Sequence, residues 1–101
     1  MIENIEISGR KYEISDEVEK YVLKRFGKVS KFIPRRLREE VALRVVIAEI
    51  NEGGGNKYEV SAELRVPGWK EIIGREKIMN VFAGVDIVEK ELIEQVKKKK
   101  R

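Results

Sequence analysis

Residues 24–38, KRFGKVSKFIPRRLR, carry seven basic side chains in fifteen positions and no acidic one. Lys20 extends the run backwards, and a second basic cluster, KKKKR, occupies 97–101. Ammonium and guanidinium groups do not cleave or transfer bonds unaided. What they do is donate hydrogen bonds to phosphates, neutralise them and release their counterions. The chain has no cysteine and no histidine. Thiolate chemistry, disulfides, imidazole acid–base catalysis, serine–histidine triads and the usual zinc ligand sets are therefore closed to it. Carboxylates are plentiful, but no pair stands in a recognisable catalytic motif. The residues that could act are cations, and the expected action is binding, with no cofactor, no metal and no catalysis.

The signs of charge are segregated along the chain. The net charge is +4, yet residues 1–19 carry −4, residues 20–38 carry +8, residues 39–96 carry −5 and residues 97–101 carry +5. Helix macrodipoles collect a few cations at C-termini, which accounts for two or three of these but not for eight. Blocks of one sign predict a directed electrostatic surface. The candidate phosphate ligands are Lys20, Lys24, Arg25, Lys28, Lys31, Arg35, Arg36, Arg38, Lys90, Lys97, Lys98, Lys99, Lys100 and Arg101.

The elements that position them follow from periodicity. A chain of 101 residues with 42% hydrophobic content has the size of one small domain. The start, IENIEI, reads as a strand through Ile2, Ile5 and Ile7, with a turn expected at Gly9 and Arg10. Ser15 is placed to cap a helix, with Asp16, Glu17 and Glu19 in its first turn. Val18, Val22, Phe26, Val29 and Ile33 mark one continuous helical face, and Pro34 is expected to end it. VALRVVIAEI (41–50) and KYEVSAELRV (57–66) read as strands, the second alternating cleanly between an apolar and a charged face. Pro67-Gly68 is the central pair of a type II turn, and 69–78 returns as a fourth strand. Asn80 can cap a last helix with Val81, Val85, Val88, Leu92 and Val96 on its apolar side.

The predicted fold is therefore α+β: a two-layer β-α-β-β-β-α domain, a four-stranded mixed sheet with both helices packed on one face. Residues 1–96 form a single domain, and 97–101 are a basic tail. At about 100° per residue, Lys20, Lys24, Lys28 and Lys31 lie opposite the apolar seam of the first helix. Arg25 lies beside the seam and leans along it. The start, MIENIEISG, does not have the pattern of a signal peptide. Glycine-rich NEGGGNK (51–57) lacks the spacing of a phosphate-binding loop and reads as a hairpin connection. Trp69, just after a turn, reads as a packing residue. The charged face of the sheet offers no aromatic platform, which argues against nucleobase stacking on the strands.

The residues YEISDEVEKYVLKRFGKVSKF and NVFAGVDIVEKELIEQVKK, in that order with three strands between, carry a resemblance over nearly the whole chain. It resembles the ribosome hibernation promoting factors, also called ribosome-associated inhibitor A or the sigma-factor modulation family. Arg25, Lys28 and Lys31 fall on the usual basic positions of the family's first helix. Phe82 stands where the family has tyrosine, and Val85-Asp86 stand for its Ile-Asp pair. Glu91 and Glu94 depart from positions that are usually basic, Lys90 sits one step away, and IPRRLREE (33–40) is a longer and more basic connection than is usual. Long forms of the family carry a further C-terminal domain, and the chain resembles the short form.

The resemblance implies a cytoplasmic protein that is a monomer when free. It implies binding to the small ribosomal subunit, on ribosomal RNA in the mRNA and tRNA channel, with translation inhibited by occupancy. It implies no cofactor, no small-molecule substrate and no membrane. Two other readings remain open on charge alone: a general RNA-binding or RNA-chaperone module, and an adaptor for an acidic protein.

Overall fold

The computed structural model describes residues 4–50, 55 and 57–99. Ile2 and most of the 51–57 connection, both singled out above, lie outside the described residues. Four strands, β1 (Asn4–Arg10), β2 (Ala42–Glu49), β3 (Tyr58–Arg65) and β4 (Ile72–Ile78), and two α-helices, α1 (Asp16–Gly27) and α2 (Val81–Lys99), follow in the order β-α-β-β-β-α. The sheet order is β1-β2-β3-β4. The first pair is parallel, with Ile7 beside Val45, and the other two are antiparallel. Both helices share one core with one face of the sheet. Val18, Val22 and Phe26 of α1 and Val85, Val88, Leu92 and Val96 of α2 are buried with Leu43, Val45, Ile47, Val60, Ala62 and Leu64.

The opposite face of the sheet is wet and largely self-neutralised. The register sets Glu6 beside Arg44, Arg44 opposite Glu63 and Glu59 opposite Lys77. Opposite charges facing each other across strands attract, so these cations already have acidic neighbours. Arg65 Nε donates to Glu71 Oε2 at 2.9 Å.

The helix starts stand as expected. Ser15 Oγ accepts from Val18 N at 3.2 Å, with Asp16, Glu17 and Glu19 in the first turn. Asn80 Oδ1 accepts from Phe82 N at 2.9 Å and Ala83 N at 3.3 Å. The Pro67-Gly68 turn is type II: Gly68 has φ +81°, and Trp69 N donates to Val66 O at 3.0 Å. Trp69 packs half-buried against the core.

Four local expectations are corrected. Gly9 and Arg10 remain in β1, paired with Ile47 and Ala48, and the chain reverses at Lys11, where φ is +54°. The first helix is not continuous to Ile33. It stops at Gly27 and tightens into a 3₁₀ segment, Lys28–Phe32. Gly27 is a poor helix former, and Ser30 Oγ donates to the Gly27 carbonyl at 2.9 Å, in place of an α-helical partner. Val29 and Ile33 stay buried regardless. The connection that follows holds a second 3₁₀ segment, Arg35–Glu40. The fourth strand begins at Ile72, not at 69, because the type II turn and the packed Trp69 hold the intervening residues off the ladder. Last, α2 runs on to Lys99, so Lys97, Lys98 and Lys99 form its final turn.

Helix α2 lies close on the sheet because Gly84 has no side chain. A Cβ there would fall 2.8 Å from Ile78 Cγ2 and 2.9 Å from Val60 Cγ2. Gly84→Ala is expected to destabilise the fold. Overpacking of about 1–3 kcal/mol outweighs roughly 1 kcal/mol gained in helix propensity. A thermal melt should show Tm lowered by several degrees; an unchanged or raised Tm would show that α2 is free to lift off the sheet.

Candidate nucleic-acid interface

The contacts that α1 and the 3₁₀ segment after it make with α2 advance together along the sequence. Tyr21 meets Phe82 and Asp86, Arg25 meets Asp86 and Glu89, and farther on Phe32 meets Lys97. The helices therefore run side by side in the same direction, with their C-terminal ends at one end of the molecule. Partial negative charge from both macrodipoles gathers there, and so do the cations that it favours.

The seam between the helices is polar at its centre. Tyr21 Oη donates to Asp86 Oδ1 at 2.6 Å. Arg25 Nε lies 2.9 Å from Asp86 Oδ1 and 3.3 Å from Glu89 Oε1. The buried Nε–H points squarely at neither oxygen, so these are close ion pairs and not directed hydrogen bonds. The Arg25 guanidinium also stands over the Tyr21 ring, 5.9 Å from its centre. Donation to the Asp86 carboxylate holds the Tyr21 phenol above its ordinary pKa. Glu89, with a side chain only 7% exposed, has its pKa raised by loss of water, although Arg25 and Lys28 oppose the shift.

The candidate cations divide. Lys24, Lys28, Lys31 and Arg38 surround a single shallow groove of about 410 Å³, with Gly27 and Ser30 also lining it. The 3₁₀ geometry helps here: with three residues per turn, Lys28 and Lys31 lie one above the other. Arg38 is anchored, its Nε donating to Ile33 O at 2.9 Å and its Nη2 to Lys31 O at 3.3 Å. Arg25 is turned inward to the two α2 carboxylates, away from the groove. Lys97 Nζ sits 5.1 Å from the centre of the Phe32 ring. Lys20, Arg35, Arg36, Lys90, Lys98 and Lys99 are exposed. Among the described residues no ion pair involves these six or the three groove lysines; Arg25, Arg44 and Arg65 are among the cations that do pair. Lys100 and Arg101 lie outside the described residues.

Glu91 stands elsewhere than on the basic strip. Its Oε1 accepts from Arg75 N at 3.1 Å, and Gln95 Nε2 donates to Ile73 O at 2.9 Å. Both side chains bond the outer backbone of β4 and so occupy the free edge of the sheet. Burial raises the Glu91 pKa, and the Arg75 N–H partly offsets that.

A family model described as sigma 54 modulation protein / S30EA ribosomal protein matches residues 5–101. The chain belongs to this family. No curated protein sequence matches it significantly. Among solved structures, the S30EA chain is similar to the N-terminal domain of Protein Y from Thermus thermophilus. The TM-score is 0.75 and the identity 25%, over 94% of this chain and 97% of that one. It is also similar in fold to a ribosomal subunit interface protein from Coxiella burnetii. There the TM-score is 0.76 and the identity 22%, over 96% of this chain and 97% of the other.

Sequence reasoning missed the partners of Arg25. Tyr21 and Arg25 are spaced i, i+4 on α1, and Asp86 and Glu89 i, i+3 on α2, so each pair shares a face. That spacing was the available signal; only the adjacency of the helices makes it a cluster.

The raised Glu89 pKa has a direction in pH. The folded state holds this proton more tightly than the unfolded chain, whose value is near 4.5. Glu89 therefore favours folding below that pH and disfavours it progressively as pH rises through the raised folded value. Glu89→Gln removes this dependence. The stability of the parent relative to Glu89→Gln is expected to fall between acid and neutral pH, measured by denaturant unfolding at each pH. A relative stability that rises with pH would mean that the Arg25 attraction prevails over the burial.

Proposed function

We propose that this S30EA-family protein binds the small ribosomal subunit in the mRNA and tRNA channel and inhibits translation by occupying it. The groove lysines Lys24, Lys28 and Lys31, with Lys20, Arg35, Arg36, Lys90 and the last turn of α2, supply the contacts to ribosomal RNA. The observation that carries this reading is the division of charge over two faces. On the sheet, Arg44 and Lys77 have acidic neighbours across the strands and Arg65 pairs with Glu71, whereas the lysines of the helical side, with Arg35 and Arg36, are exposed and have no carboxylate at ion-pair distance among the described residues. Such a surface matches a phosphate backbone, and the family is one of ribosomal proteins.

The reading is non-catalytic. Among the described residues no group of carboxylates is arranged to hold a metal, and no helix is long and apolar enough to cross a membrane. Inhibition by occupancy is competitive, reversible and weakened by salt. Arg25 contributes indirectly, through the carboxylates that fix its helix, and Arg38 through the two carbonyls that it bridges.

The decisive experiment is sedimentation with purified small subunits, large subunits and bulk RNA in competition. Small subunits should be preferred, and prior loading with mRNA and initiator tRNA should exclude the protein. Equal binding to loaded and empty subunits would replace the channel reading with general RNA binding. Replacing Lys24, Lys28 and Lys31 together by alanine should lower the slope of log affinity against log salt by about one per lysine. Stability should change by less than about 0.5 kcal/mol per site, since these charges are exposed. A triple variant with the parent's salt dependence would remove the groove from the interface.

A further inference from the structure

Two aromatic rings at the opening of the helix–helix seam play no part in the phosphate contacts. Phe82, in the first turn of α2, is 38% exposed. Its ring meets Tyr21 edge to face, with centres 5.1 Å apart and planes at 83°. Neither ring is loosely held. The Tyr21 hydroxyl is bonded to Asp86 at 2.6 Å, and the Arg25 guanidinium stands over the same ring. The Phe82 backbone N–H is fixed by Asn80 Oδ1 at 2.9 Å. The pair is a braced apolar surface open to water.

This surface is aligned with the lysines. At about 100° per residue, Tyr21 and Lys24 of α1 and Lys28 at its C-cap fall within roughly 60° of one another. The 3₁₀ segment carries the line on to Lys31. An aromatic platform thus stands at the start of a row of cations. The carboxylate nearest to it, Asp86, is already engaged by Arg25 and Tyr21. Proteins that hold single strands combine these two features. Cations follow the backbone, and aromatic side chains take successive bases, since every base has a π-face. A base stacked inside an intact duplex does not present that face.

We propose that Phe82, braced by Tyr21, is a stacking platform for an unpaired nucleobase of an RNA whose backbone follows Lys24, Lys28 and Lys31. The proposal rests on the RNA-binding reading and narrows the ligand to RNA that is single-stranded at this end of the groove. The wet face of the sheet has no such platform; the helical face has one.

Fluorescence anisotropy with a single-stranded oligoribonucleotide, and with the same strand annealed to its complement, tests this. Phe82→Leu keeps an apolar side chain against Tyr21 but removes the π-face. It should weaken single-strand binding by about fivefold or more while leaving the salt slope unchanged. Duplex binding should not change, and Phe82→Tyr should retain the parent's affinity. In Phe82→Trp the new indole should be quenched by single-stranded RNA beyond any response of Trp69 in the parent. Parental single-strand affinity in Phe82→Leu, or no added quenching in Phe82→Trp, overturns the stacking proposal. If the lysine triple variant still loses its salt slope in that case, the RNA-binding reading survives. If that slope is also unchanged, both fail.

Discussion

Arg25 is held between Asp86 and Glu89, and the arrangement of the helical side depends on that contact. Ion pairs partly withdrawn from water add little net stability, because desolvation offsets most of the attraction. Removing one partner costs more, since a carboxylate is then left buried without its counter-charge. The consequence of this cluster is geometric. It joins α1 to α2 about one turn beyond the Tyr21–Phe82 contact and about two turns before Phe32 meets Lys97. With three contacts spaced along one seam, the helices are held parallel, and their two basic ends project from the same end of the molecule.

That alignment separates two kinds of charge. Across the strands, register places carboxylates beside Arg44 and Lys77, and the wet face of the sheet is nearly neutral at short range. On the helical side Asp86 and Glu89 are engaged by Arg25. Lys24, Lys28 and Lys31 keep their charge for an outside partner. Glu91 sharpens the division. Bonded to the β4 backbone, it covers an edge where another strand could pair, and it leaves the lysine row undisturbed.

The same packing links stability to function. Gly84 lets α2 settle onto Val60 and Ile78, and this depth sets how far Phe82, Asp86 and Glu89 reach toward α1. A helix lifted by one methyl group would loosen the core and shift the seam together.

Much of this was legible in the sequence. Hydrophobic periodicity is a local property, so the apolar faces of the two helices and of the alternating strand at 57–66 could be read from spacing alone, and 41–50 could be read as a strand from its β-branched residues. The caps at Ser15 and Asn80 and the type II turn at Pro67-Gly68 are local as well, set by side chains within three residues of the backbone they bond. Charge blocks survive any folding, so a positive surface was implied before its shape was known. The break at Gly27 was not legible, because Val29 and Ile33 keep the apolar phase through a 3₁₀ segment as well as through an α-helix. Nor was the fate of individual charges. Arg25 and Lys24 are adjacent and alike in type, yet one is turned inward to Asp86 and Glu89 and the other lines the groove. Glu91 and Glu94 are equally indistinguishable until β4 lies beside one of them. Sequence determines which face of an element is apolar, because that depends on repeat length. Which polar side chain meets which partner depends on the packing of elements distant in the chain, and only the tertiary structure decides it.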